Sequence, residues 1–324
     1  MKKFPIVLLV LAVAASTFTC GGKKSGAAGS ELITVGFAQC KADESDWRMH
    51  NTRSMFDAFN ANPDYRLLVA DSNNDAVKQI ADVQGFINRS VDYIVIAAVN
   101  MAGWETVLRN AQQAGIPVIL MDREISAPES LYTAWFGGSF VEEGNRAVTW
   151  MEKRFGRGEA NIVHLQGQLG AAAQVGRTQA LEEGARRNGW NILAQQTGDW
   201  MTDPAKNVMT SWIRQFGSRI NAVYAENDNM ALGAIQALQE AGIKVGGSDG
   251  VAIITFDANR WSLEMTLAGT INANVECNPM LGATALQFIE TLRKGGTLPK
   301  RTLAPFESFY WDTITQAMIN ARVY

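Results

Sequence analysis

Val223-Tyr224-Ala225-Glu226-Asn227-Asp228-Asn229-Met230-Ala231-Leu232-Gly233-Ala234 begins as a short apolar strand, stops at Asn227-Asp228 and passes at once into a helix-patterned run. In parallel α/β sheets ligands bind beyond the carboxyl ends of the strands, so polar residues at such a stop face a crevice. The same arrangement recurs at Met121-Asp122-Arg123 and at Thr255-Phe256-Asp257-Ala258-Asn259. Side chains that can each hold a pair of hydroxyls thus sit at three strand ends far apart in sequence. They suit a cleft for a small polyhydroxylated molecule.

Outward from these stops, apolar strands alternate with amphipathic helices from Ile33 onward. Strands are expected at Ile33–Ala38, Tyr65–Ala70, Tyr93–Val99 and Ile116–Met121, with helices at Asp46–Asn60, Asp75–Asn88 and Met101–Gln113. Val77, Ile80, Val83 and Ile87 mark one helical face, and the unbroken Tyr93–Val99 run reads as a strand buried on both sides. The second half repeats the pattern, with strands near residues 161–165, 192–195, 221–225, 251–256 and 271–275. Gly115, Gly189 and Gly242 each stand between a helix and the next strand. Repeated helix–Gly–strand joints argue for βα units wound into parallel sheets. About nine such units exceed one small sheet, so the expected fold is α/β with two doubly wound parallel-sheet lobes.

The 324 residues are 47% hydrophobic and 19% charged, with a net charge of −3, an ordinary globular balance without a nucleic-acid footprint. Lys2-Lys3, the apolar run Ile6–Ala15 and the small residues after it read as an export signal, too short to span a bilayer. Residues 1–20 are therefore expected to be a signal peptide, and residues 21–31, rich in Gly, Ser, Ala and Lys, a flexible tether. Cys20 between them matches a bacterial lipoprotein layout, although Thr17-Phe18-Thr19 departs from the usual lipobox. Ordinary cleavage among Ala12 to Ser16 is the other reading. Export permits a disulfide between Cys40 and Cys277, and two free buried thiols are the alternative.

Catalytic constellations are missing. His50 and His164 show no metal-ligand spacing, and no Gly-x-Ser-x-Gly elbow occurs. Asp122 with Asp257 is the sole carboxylate pair to weigh for glycoside hydrolysis, and no enzyme, metal or cofactor is expected. Binding residues are better supplied. Trp47 offers an aromatic platform for a sugar ring, and Arg48 offers a fork of donors. Asp122-Arg123 can form charge-assisted bonds to hydroxyls. The Gly- and Ala-rich run Gln166–Arg177 lacks both the phosphate-loop ending and GxGxxG spacing, so it reads as close backbone packing with Arg177 projecting from the first helical turn.

With Ser45-Asp46-Trp47-Arg48, Gly103-Trp104-Glu105-x-Val107-Leu108, Ile116 to Arg123, Leu165-Gln166-Gly167, Asn227-Asp228-x-Met230-x-x-Gly233-Ala234 and Val275-Glu276-x-Asn278-Pro279 in this order, the chain resembles the type I periplasmic sugar-binding proteins of the ribose/galactose group. The resemblance implies two lobes joined by a three-strand hinge, crossing near Thr133–Phe136, Phe256–Ala258 and Lys300–Leu303. That would assign residues 32–133 plus 258–299 to one lobe and residues 134–257 plus 300–324 to the other. It implies a ligand set of Trp47, Arg48, Asn100, Asp122 and Arg123 from the first lobe, with Arg177 and Asn227 from the second, Asp257 at a hinge and Glu276. Trp135 and Phe136 replace the small polar residues usual at the first crossing, which would narrow or reshape the cleft. The implied ligand is a monosaccharide, galactofuranose first, with arabinose, ribose or galactose as alternatives. The implied partner is the membrane permease of an ABC importer, served by a monomer at the periplasmic side. A chemoreceptor or sensor kinase reading the closed form is the alternative partner.

Overall fold

The computed structural model describes residues 32–324, and the expected signal peptide, tether and acylated Cys20 lie outside the described residues. The chain alternates strand and helix almost as its apolar periodicity predicts. It runs β1 (Ile33–Gln39), α1 (Asp46–Asn60), β2 (Tyr65–Asp71), α2 (Ala76–Asn88), β3 (Tyr93–Ile96), α3 (Glu105–Gln113), β4 (Val118–Met121) and β5 (Ala134–Gly137). There follow α4 (Phe140–Phe155), β6 (Asn161–Gln166), α5 (Ala172–Asn188), β7 (Asn191–Thr197), α6 (Thr202–Phe216), β8 (Ala222–Ala225) and α7 (Asp228–Glu240). The remainder is β9 (Ala252–Asp257), α8 (Arg260–Leu267), β10 (Ala273–Glu276), α9 (Gly282–Arg293), β11 (Arg301–Leu303), β12 (Ser308–Tyr310) and α10 (Gln316–Asn320).

The strands form two six-stranded sheets, ordered β11-β5-β4-β3-β1-β2 and β12-β10-β9-β8-β6-β7. All pairings are parallel except β10 with β12. Each sheet reverses its winding once, between β1 and β3 in the first lobe and between β6 and β8 in the second. Ligands bind at such switch points. In β4, Val118 and Leu120 join one apolar cluster while Ile119 and Met121 join another, so helices cover both faces and no alternation appears in the sequence.

Helix ends carry their own signals. Ser45 caps α1 by accepting from Arg48 N, Asp75 caps α2, and Asn227 caps α7 by accepting from Met230 N at 2.9 Å. Gly189 ends α5 in the left-handed conformation, at φ 70°.

The chain passes between lobes three times, each time later than expected, so Ala134–Gly137 and Arg301–Leu303, expected in the second lobe, belong to the first sheet. β5 leads through Gly138 into α4, which packs on α5 of the second lobe. The second passage, expected at Phe256–Ala258, does not occur there. β9 continues into α8 and β10, and β10 pairs with β9 from Ala273↔Ile254 to Glu276↔Asp257. The crossing comes instead at residues 277–281, after which α9 packs on α1. Residues 258–276 therefore belong to the second lobe. The third passage follows β11, which pairs with β5, and leads to β12 on the second sheet.

Candidate functional site

Both switch points open onto one cavity between the lobes, lined by residues of each. On the first-lobe side the loop after β1 and the start of α1 supply Glu44, Ser45, Trp47 and Arg48, and the end of β4 supplies Asp122 and Arg123. Arg48 is fully buried. Its Nε donates to Glu44 Oε1 at 3.1 Å, Nη1 to Asn51 Oδ1 at 3.1 Å and Nη2 to Asp122 Oδ2 at 3.2 Å. Arg123 Nη2 donates to the same Glu44 oxygen at 3.0 Å. The Trp47 indole donates to Cys277 O at 2.5 Å, and the Arg48 guanidinium lies 4.6 Å from its ring centre. Both guanidinium groups are thus held in fixed planes before any ligand arrives.

On the second-lobe side Arg177, in the first turns of α5, donates through Nε and Nη2 to Glu143 Oε2 at 3.0 and 2.8 Å and lies 3.6 Å from Asp257 Oδ1. Asn227 donates to Trp200 O at 3.0 Å. Gly167 allows the Trp200 ring to lie on the backbone, since a Cβ there would meet its Cη2 at 2.0 Å. Gly176 likewise lets α5 approach Phe140, whose Cβ a side chain would meet at 2.8 Å, in keeping with the packing role expected of this run. Asp122, Trp200 and Asp257 all have left-handed backbones, with φ of 66°, 67° and 101°. Such conformations cost on the order of 1–3 kcal/mol each and concentrate at ligand sites.

Three arginines and three carboxyl groups line the cavity. Arg48, Arg123 and Arg177 face Glu44, Asp122 and Asp257. Burial pushes the Asp257 carboxyl well above the usual carboxylate range despite Arg177 beside it, with Asp228, Glu143 and Asp122 adding to the rise. Burial likewise raises Glu143 to about 7, against the opposing pull of Arg177. Glu44 Oε2 and the Trp200 indole nitrogen are buried without a partner in the protein. The arrangement offers donors, acceptors and aromatic faces to a neutral ligand. Among the described residues no cluster of three or more His, Cys, Asp or Glu is placed to hold a metal ion.

The family description "Periplasmic binding protein domain" matches residues 35–296, across both lobes and the cavity. The galactofuranose-binding protein YtfQ of Escherichia coli is 35% identical over 298 residues, 88% of this chain and 90% of that protein. The chain belongs to the type I periplasmic sugar-binding protein family. Among solved structures, a Mycobacterium smegmatis protein in complex with β-D-fucofuranose superposes with a TM-score of 0.82 at 35% identity, over 90% of this chain and 94% of that one. The arabinose ABC transporter binding component of Shewanella sp. ANA-3, bound to α- and β-L-arabinofuranose, superposes with a TM-score of 0.83 at 31% identity, over 90% and 95%. The family is one of extracytoplasmic solute-binding proteins, not of enzymes.

Within this sugar-binding protein, Trp47, Arg48, Asp122, Arg123, Arg177, Asn227 and Asp257 meet at the single cavity. Asn100 and Glu276 do not line it. Asn100 lies beyond β3, where the lobes touch, and its carbonyl accepts from the Trp104 indole at 2.9 Å. Glu276 ends β10 but its carboxylate turns to the tail, accepting from Arg322 at 2.5 Å, Tyr324 OH at 2.7 Å and Glu307 N at 2.8 Å. Strand-end position leads Asp257 to the cavity but not Glu276, because an arginine and a tyrosine from the tail hold the latter. Trp135 and Phe136 are buried away from the cavity, so they do not narrow it. The Trp135 indole instead donates to Asp122 O at 3.2 Å and fixes that turn.

Sequence reasoning passed over Glu44, Ser45, Phe140, Ala173, Trp200 and Cys277 as lining residues. Trp200 had a signal: Gly198-Asp199-Trp200 directly follows β7, another strand end facing the cleft. Cys40 and Cys277 are both free and buried. Cys40 Sγ accepts from Arg123 Nη1 at 3.0 Å, and burial raises its thiol to about 11.

Proposed function

We propose that this protein captures a neutral monosaccharide in its furanose form, galactofuranose foremost, and delivers it to the permease of an ABC importer. The observation that carries this reading is the cavity itself, with pinned guanidinium groups, two tryptophans and unpartnered polar atoms contributed by both lobes. Hydroxyls can serve both donors and acceptors, and satisfying a buried polar atom recovers about 1–3 kcal/mol. The furanose preference is supported by the relatives that bind galactofuranose, β-D-fucofuranose and L-arabinofuranose.

A thermal-shift panel tests the reading. Ligand at 100 times its dissociation constant should stabilise by about 2.7 kcal/mol. Solutions of galactose, arabinose, fucose and ribose are expected to raise the midpoint, and methyl pyranosides locked in the six-membered ring to leave it unchanged. Shifts with amino acids or sugar phosphates but with no neutral sugar would sink the proposal.

Cys20 is proposed as an acyl anchor that keeps the binding protein at the membrane beside its permease. Cys20→Ser is expected to release the mature protein from membranes. Unchanged fractionation and mature mass would remove the anchor.

A further inference from the structure

Two sets of hydrogen bonds fasten the lobes on opposite sides of the cavity. On one side Met101 N donates to Gly170 O at 3.0 Å, and Gln168 Nε2 to Asn74 O at 3.1 Å. Every acceptor there is a main-chain carbonyl, so the contact depends little on side-chain charge.

The other side is built around Asp46, the first residue of α1, which does not line the cavity. Its main-chain N–H donates to Asn229 Oδ1 at 3.2 Å, and its Oδ2 accepts from Asn229 Nδ2 at 3.2 Å. Asn229 and Asp46 therefore close a two-bond ring across the cleft. A third bond comes from the Trp261 indole, which donates to Asp46 Oδ2 at 2.9 Å. Asp46 belongs to the first lobe, while Asn229 on α7 and Trp261 on α8 belong to the second, 183 and 215 residues away. These bonds exist only when the lobes meet. The carboxylate also sits at the start of its own helix and beside the start of α7, where helix dipoles favour negative charge.

We propose that Asp46 is the latch of the closed form, a positioning residue that slows ligand escape without touching the ligand. The inference rests on the sugar-binding reading and goes beyond it. Asp46 directly precedes Trp47 and Arg48, and Asn229 follows Asn227 by one residue, so the latch joins cavity-lining segments of both lobes. In an open form the carboxylate is hydrated and loses nothing. Its contribution therefore falls on dissociation rather than on encounter.

Stopped-flow binding of equilibrated D-galactose, which contains the furanose form, tests this on native protein, Asp46→Ala, Asn229→Ala and the double variant. Asp46→Ala is expected to raise the dissociation rate about tenfold, the scale of charge-assisted bonds at a half-exposed site, with the association rate nearly unchanged. The double variant should lose less than the sum of the two single variants, since Asp46 Oδ2 and Asn229 Nδ2 share one bond, while the bond from Asp46 N–H to Asn229 Oδ1 survives Asp46→Ala. The sugar-free melting midpoint should stay constant while the sugar-saturated midpoint falls. Equal falls in both midpoints, or an unchanged dissociation rate, would overturn the latch. If D-galactose fails to bind native protein, the sugar reading fails, and spin-label distances across the cleft decide the latch separately. Asp46→Ala should then shrink the short-distance population measured without sugar, and an unchanged distribution rejects it.

Discussion

The two lobes share a strand order but build their halves of the cavity differently. In the first, Arg48 and Arg123 share Glu44, and Asp122 lies 3.2 Å from Arg48 and 3.8 Å from Arg123, so each carboxylate has two cations near it. In the second, Glu143 and Asp257 divide one cation, Arg177, at 2.8 and 3.6 Å. Buried carboxylates that outnumber their cations protonate more readily, because desolvation penalises the charged form. One half of the site is electrostatically saturated, and the other holds protons in reserve.

The largest expected effect comes from removing the cation that the second lobe cannot replace. Arg177→Ala strands two buried carboxylates, and breaking such a pair costs about 3–5 kcal/mol. Arg177 is 2% exposed and also donates to Glu226 O, so its loss falls on folding as well as on binding. Arg123→Ala should cost less, since Arg48 remains beside both Glu44 and Asp122. Chemical denaturation of the two variants checks this order, and equal losses would break the comparison between lobes.

The pH dependence should also originate in the second lobe. Glu143 is raised from 4.5 to about 7 and Asp228 from 3.8 to about 6, both chiefly by burial, and Asp257 is raised well above its usual range. For each, the folded form keeps a proton that the unfolded chain has already released. Stability should therefore fall as pH rises, between about 4.5 and about 7 for Glu143. A shift of this size corresponds to a loss on the order of 3 kcal/mol. Unfolding titrations on native protein and Glu143→Gln should show a flatter profile in the variant. An identical slope would place the titration elsewhere.

The smallest effect on binding belongs to Glu276, outside both halves. Glu276→Ala removes the acceptor of Arg322, Tyr324 and Glu307 N, so stability should drop by about 2 kcal/mol. Sugar affinity should stay within about twofold, because the carboxylate is held by the tail rather than by the cavity. Calorimetry on the folded variant checks this, and a tenfold weakening would return Glu276 to the site.

Much of the site was legible from position. Asp122, Arg123, Asn227 and Asp257 follow apolar runs that end abruptly, and parallel topology places those ends on one side of each sheet. Helix limits were equally clear where Ser45, Asp75 and Asn227 cap and Gly189 terminates. Glu143 was invisible, because it sits beside Glu142 in the first turn of α4, and nothing local separates the exposed member of the pair from the buried one.

Strand and helix periodicity, the winding of βα units and the polar stops at strand ends followed from the sequence itself, because each depends on neighbours a few residues apart. The second crossing, the turning of Glu276 toward Arg322 and Tyr324, the division of Arg177 between two carboxylates and the meeting of Asp46 with Asn229 did not. Each joins segments far apart in the chain, 34 residues for Glu143 with Arg177 and 183 for Asp46 with Asn229. Only the approach of the folded lobes decides which charge reaches which partner, and burial then sets what that pairing is worth.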